Sequence, residues 1–101
     1  MYRIVWTYEV KPDSAEAFER IYGRDGEWAR LFRAADGYLG TDLFRSTAAP
    51  TRYVTVDDWT SQAAYEAFRA RAAQAYAELD ARCDALTLAE RLVSAGAVDA
   101  V

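Results

Sequence analysis

The segment Arg52-Tyr53-Val54-Thr55-Val56-Asp57-Asp58-Trp59-Thr60-Ser61-Gln62-Ala63-Ala64-Tyr65-Glu66-Ala67-Phe68 changes period in its middle. Up to Trp59 it alternates. Tyr53, Thr55, Asp57 and Trp59 fall on one side of an extended chain, and Val54 and Val56 on the other, as in a strand. Ser61 then suits a helix cap. From Ala64, Tyr65 and Phe68 an apolar stripe continues in threes and fours through Ala72, Ala75, Tyr76, Leu79, Cys83 and Leu86. That spacing predicts one helix of about six turns.

Working outward, Tyr2 to Lys11 is a second alternating run. Ile4, Trp6, Tyr8 and Val10 share one face; Arg3, Val5, Thr7 and Glu9 share the other. Pro12 ends it, and Asp13 or Ser14 can cap a helix carrying Phe18, Ile21 and Tyr22. Gly23 and Gly26 disfavour a straight continuation and predict a bend before a second helical piece with Trp28, Leu31 and Phe32. Asp36-Gly37 is a turn. A strand over Tyr38 to Ser46 and the loop Thr47 to Thr51 complete a hairpin with the opening segment. The tail from Leu88 to Val101, with Leu92, Val93, Val98 and Val101, is expected to form the last strand. The order βαββαβ is the split βαβ pattern of an α+β, ferredoxin-like fold. It predicts a four-stranded antiparallel sheet with the first and third strands central and helices on one face, in a single domain spanning residues 1–101.

Composition narrows the function. The 101 residues are 52% hydrophobic and 14% aromatic, with a formal charge of −4. An acidic chain with scattered arginines lacks the local positive charge that nucleic acid or an anionic membrane requires. No run has transmembrane length and the N-terminus shows no signal-peptide pattern, so the expected compartment is the cytoplasm. The chain has no His, no Asn and one Cys, Cys83. A metal site of imidazole or thiolate ligands is therefore not expected, and Ser-His or Cys-His nucleophile pairs are excluded.

The sheet has apolar residues on both faces. Helices cover one; Val5, Val54 and Val56 lie on the other. A second copy of the chain, packed on that open face, would remove them from water. The expected partner is thus a homodimer mate.

The segment from Tyr53 to Phe68, with Gly37-Tyr38-Leu39-Gly40 before the second strand, resembles the antibiotic biosynthesis monooxygenase (ABM) family of dimeric α+β barrels. The resemblance covers nearly the whole chain. That family includes cofactor-free oxygenases of aromatic polyketides, quinol oxygenases and haem degraders. Haem degraders share a Trp at position 59 but need a His about ten residues later, where this chain has Arg69, and an Asn where it has Trp6. Anthrone-type oxygenases use a Trp and a Tyr six residues on, matched by Trp59 and Tyr65; their Asn four residues before the Trp is replaced by Thr55. The resemblance implies a monooxygenase without cofactor, acting on a phenol, quinol or aromatic polyketide.

Such chemistry needs an apolar pocket, a proton acceptor and donors for a developing oxyanion. Trp59 and Tyr65 are the implied catalytic donors. Asp57, on the face of Trp59, is the candidate base, because burial among aromatics raises a carboxyl pKa. Trp6, Tyr8, Tyr22, Trp28, Phe32, Tyr53, Thr55, Phe68 and Tyr76 are the candidate substrate-binding wall for a small aromatic ligand. Each of these aromatics also has a plain reading as core. A non-catalytic ligand-binding protein, and an isomerase or cyclase of polyketide intermediates, are the alternatives on the same scaffold.

Overall fold

A computed structural model describes all residues, 1–101. The strands are β1 (Tyr2–Val10), β2 (Tyr38–Arg45), β3 (Arg52–Trp59) and β4 (Thr87–Ala97). The helices are α1 (Ala15–Tyr22), α2 (Glu27–Phe32), α3 (Gln62–Arg71) and α4 (Ala73–Cys83). The sheet is antiparallel in the order β2-β3-β1-β4, so the first and third strands are central, as the βαββαβ order requires. No helix is long and apolar enough to cross a membrane.

The faces follow the alternation. Tyr2, Ile4, Tyr8 and Val10 of β1 and Tyr53 and Trp59 of β3 join Phe18, Tyr22, Trp28, Phe32, Phe68, Leu79 and Cys83 of the helices in one core. On the other face, register sets apolar valines in the middle of rows whose ends are polar or exposed. Phe44, Val54, Thr7 and Arg91 form one row across the sheet, and Asp42, Val56, Val5 and Ser94 the next. Arg3 and Asp58 close one end of this face with an ion pair at 2.7 Å, and Arg52 and Glu9 close the other at 3.1 Å.

Three expectations change. The long stripe is two helices rather than one. Ala72 breaks it with φ −102° and ψ 20°, a conformation open to any residue, so no Gly or Pro marks the joint. Backbone bonds bridge the break: the Ala72 N–H donates to Phe68 O and the Tyr76 N–H to Ala72 O, both at 2.8 Å. At the first helix, Pro12–Ser14 forms a 3-10 turn, and Ser14 takes the cap place of α1 without a side-chain hydrogen bond. Ser61 does cap α3, its Oγ accepting from the Ala64 N–H at 3.1 Å. The last strand stops at Ala97, leaving Val98 and Val101 outside it.

Two glycines set the approach to the site. A Cβ on Gly26, between α1 and α2, would collide with the Ile21 and Arg20 carbonyl oxygens. Gly37 has φ +90°, and a Cβ there would meet Thr60 Oγ1 at 2.6 Å and Ala64 Cβ at 2.7 Å. The chain therefore enters β2 pressed against the start of α3, which fixes Tyr38 and Thr41 beside β3.

Candidate functional site

A cavity of about 250 Å³ lies between the helices and the covered face of the sheet. Its sheet side is built by Trp6 and Tyr8 of β1, Thr41 of β2 and Thr55 and Asp57 of β3. Tyr22, Trp28, Phe32 and Tyr76 wall it from the helices. Arg69 of α3, Asp80 of α4 and Glu90 of β4 are exposed side chains that also line it, and so belong to its mouth.

Asp57 is the acidic group on the sheet wall. Register sets Thr41 directly opposite it, and the Thr41 hydroxyl donates to Asp57 Oδ1 at 2.5 Å. With its one proton so used, Thr41 Oγ1 accepts from the Tyr38 hydroxyl at 2.7 Å. Hydroxyls thus run from the half-exposed Tyr38 to the carboxylate. Burial raises the Asp57 carboxyl from its ordinary value to about 6; the Thr41 hydrogen bond opposes this rise, and the neighbouring Asp58 charge adds to it.

The phenols around it remain protonated at neutral pH. Burial pushes Tyr8, Tyr22 and Tyr76 well above the usual tyrosine range. Tyr8 shares a buried hydrogen bond of 3.1 Å with Thr55 Oγ1. At the mouth the Arg69 guanidinium lies 3.8 Å over the Tyr76 ring, and its Nη1 donates to the Tyr65 hydroxyl at 3.0 Å.

Of the residues singled out from sequence, Trp6, Tyr8, Tyr22, Trp28, Phe32, Thr55, Asp57 and Tyr76 come together at this cavity. Trp59, Tyr65, Tyr53 and Phe68 do not line it. Trp59 is 0% exposed and is enclosed by the rings of Phe32, Tyr38, Tyr65 and Phe68. Its indole N–H is buried without a partner. Tyr65 is tied to the cavity mouth by the Arg69 hydrogen bond. Phe68 packs edge-on behind Phe32 at 5.3 Å. Tyr53 donates to Glu19 Oε2 at 2.5 Å, away from the cavity.

The sequence reading missed Thr41, Arg69, Asp80 and Glu90 as wall residues. Arg69 had a signal: it stands four residues after Tyr65 and seven before Tyr76, a charge inside an apolar stripe. Glu90 had another, since it falls opposite Tyr8 once β4 is paired.

The sequence pattern of the family described as antibiotic biosynthesis monooxygenase (ABM) matches residues 1–78. The chain belongs to this family. The matched region contains every cavity residue named above except Asp80 and Glu90. No curated protein sequence matches the chain. Among solved structures, a Deinococcus radiodurans protein assigned to the antibiotic biosynthesis monooxygenases superposes with a TM-score of 0.80 at 16% identity, covering 100% of this chain and 96% of that one. PA3566 from Pseudomonas aeruginosa gives 0.68 at 22% identity, covering 98% and 94%. A variant of SnoaB, a cofactor-independent oxygenase from Streptomyces nogalater, gives 0.69 at 22% identity, covering 92% and 90%. At these identities the likeness establishes the ABM fold.

Proposed function

We propose that this ABM protein is a cofactor-independent monooxygenase of an electron-rich phenol, quinol or anthrone, with Asp57 as the base. The observation that carries the reading is a carboxylate with a raised pKa, facing an aromatic cavity and tied to a Thr41–Tyr38 hydroxyl chain. A carboxylate titrating near 6 is ionised at neutral pH yet basic enough to take an acidic substrate proton. The carbanion left behind passes one electron to dioxygen, and the radical and superoxide combine. For an anthrone methylene the resulting hydroperoxide loses water to leave a carbonyl; one oxygen atom enters the product and the other departs as water. Tyr8, Tyr22 and Tyr76 supply phenolic donors for the developing oxyanion. The fold shared with SnoaB, itself described as a cofactor-independent oxygenase, supports the assignment.

The test is oxygen uptake by the purified chain with a dihydroxyanthrone, no metal, flavin or nicotinamide being added, against a protein-free control. Uptake proportional to protein, with label from isotopic dioxygen in the product, is expected. Product formed equally without dioxygen would instead assign an isomerase or cyclase using the same base. Binding without turnover would assign a carrier.

We further propose that the chain works as a homodimer through the open face of the sheet. Phe44, 57% exposed, lies in a row with Val54, and Val5 and Val56 fill the adjoining row between the two terminal ion pairs. Sedimentation should give twice the chain mass, and Val54→Asp should give the monomer. A wild-type monomer at micromolar concentration would refute this.

A further inference from the structure

The cavity is lined by one cation, Arg69 at its mouth, and three carboxylates, Asp80 and Glu90 at the mouth and Asp57 on the sheet wall. Arg69 forms no ion pair with them, Asp80 acting on it only at longer range: no carboxylate oxygen lies within salt-bridge distance of it, whereas six other arginines of the chain are so paired. Its one side-chain hydrogen bond goes to the Tyr65 hydroxyl, at 3.0 Å. The Tyr76 ring, 3.8 Å beneath, holds the plane of the guanidinium in place. A guanidinium fixed by a ring and a hydroxyl, with donors left over and no acidic partner, is a preorganised acceptor for an anion.

From this geometry we infer that the cavity takes an aromatic acid whose carboxylate is bound by Arg69. The inference deepens the proposed function by naming a substrate class for the same cavity, and it rests on that cavity being the binding site. Charge placement also orients the ligand. Asp57 on the sheet wall repels a carboxylate, as do Asp80 and Glu90 at the rim, so the acid group is stable only at the Arg69 side. The ring system then points inward, toward Asp57. The cavity volume of about 250 Å³ suits a bicyclic or tricyclic ring system rather than a larger one.

Calorimetric titration of the full chain with naphthoate and with naphthamide tests this, since the two share shape and differ in charge. The acid should bind about tenfold to a hundredfold more tightly than the amide, the range of a charge-assisted hydrogen-bonded pair. Arg69→Gln should bring the two within about twofold of each other, while Arg69→Lys keeps part of the preference. Equal binding by the wild type, failure of both to bind, or a preference that survives Arg69→Gln would each overturn the inference. The wild-type comparison stands even if a variant does not fold. Turnover plays no part in it. An Arg69-dependent acid preference without oxygen uptake would therefore sink the oxygenase reading alone, and oxygen uptake without the preference would sink this one alone.

Discussion

Asp57→Asn should yield a protein that is more stable than the wild type at neutral pH and nearly inactive. The two effects have one origin. The folded protein holds the Asp57 proton more tightly than the unfolded chain does, with the carboxyl raised from 3.8 to about 6 by burial. Below the lower value both states are protonated and the group costs nothing. As pH rises through this window the unfolded chain ionises first, so folding loses stability, and the loss is complete above about pH 6. At about 1.4 kcal/mol per tenfold change in proton affinity, the penalty reaches up to about 3 kcal/mol. The amide carries no charge and still accepts from Thr41, so the substitution removes the penalty. Urea unfolding should show the variant more stable at about pH 8 and little different at about pH 4. Oxygen uptake should fall by about a hundredfold to ten-thousandfold, the contribution of a positioned base. The wild-type rate should rise with pH through about 6 and then level. A variant with wild-type turnover, or one whose stability gain is the same at both pH values, would contradict the role given to Asp57.

Trp59→Ala has the largest expected effect on stability. The ring, on β3, is wholly buried and packs against four aromatic side chains from β2, α2 and α3. Removing it leaves a cavity at the seam of sheet and helices and should cost about 3–5 kcal/mol, a large share of the ~5–15 kcal/mol that holds a domain folded. Trp59→Phe is the more informative change. Because the indole N–H has no partner, no hydrogen bond is lost, and the expected penalty is about 1–2 kcal/mol. KM and the pH midpoint should stay within about twofold of wild type, since the ring does not line the cavity. A folded Trp59→Phe protein with a rate lowered a hundredfold would instead place the indole N–H in the reaction.

Much of the fold could be read from two alternating segments. Ile4, Tyr8 and Val10, with Tyr53, Thr55 and Trp59, point to the side assigned to them, because a two-residue period admits only two answers. The break at Ala72 was invisible for the converse reason: the three-four stripe runs through it undisturbed, and the backbone bonds across it persist. The cavity lies on the expected face. Periodicity tells which residues face the helices, but not how far along a strand the helices stand away from the sheet. Trp6, Tyr53 and Trp59 share that face, yet only Trp6 borders open space. Asp57 was legible because a carboxylate on the covered face has nowhere else to go. Its partner Thr41 was not, since the irregular pairing between Tyr38 and Gly40 hides the register of β2.

That irregularity has a counterpart on the opposite rim. β4, the other outer strand, slips register against β1 at two points, between Val5 and Trp6 and between Glu9 and Val10. A sheet lengthens when an incoming strand finds a straight row of free amides and carbonyls, and each slip kinks that row. Neither rim of this sheet offers a regular template. Stacking face to face consumes the sticky surface and ends there, whereas joining rim to rim would repeat without limit. The kinked borders therefore disfavour a growing fibre, which leaves the proposed face-to-face dimer as the natural end point.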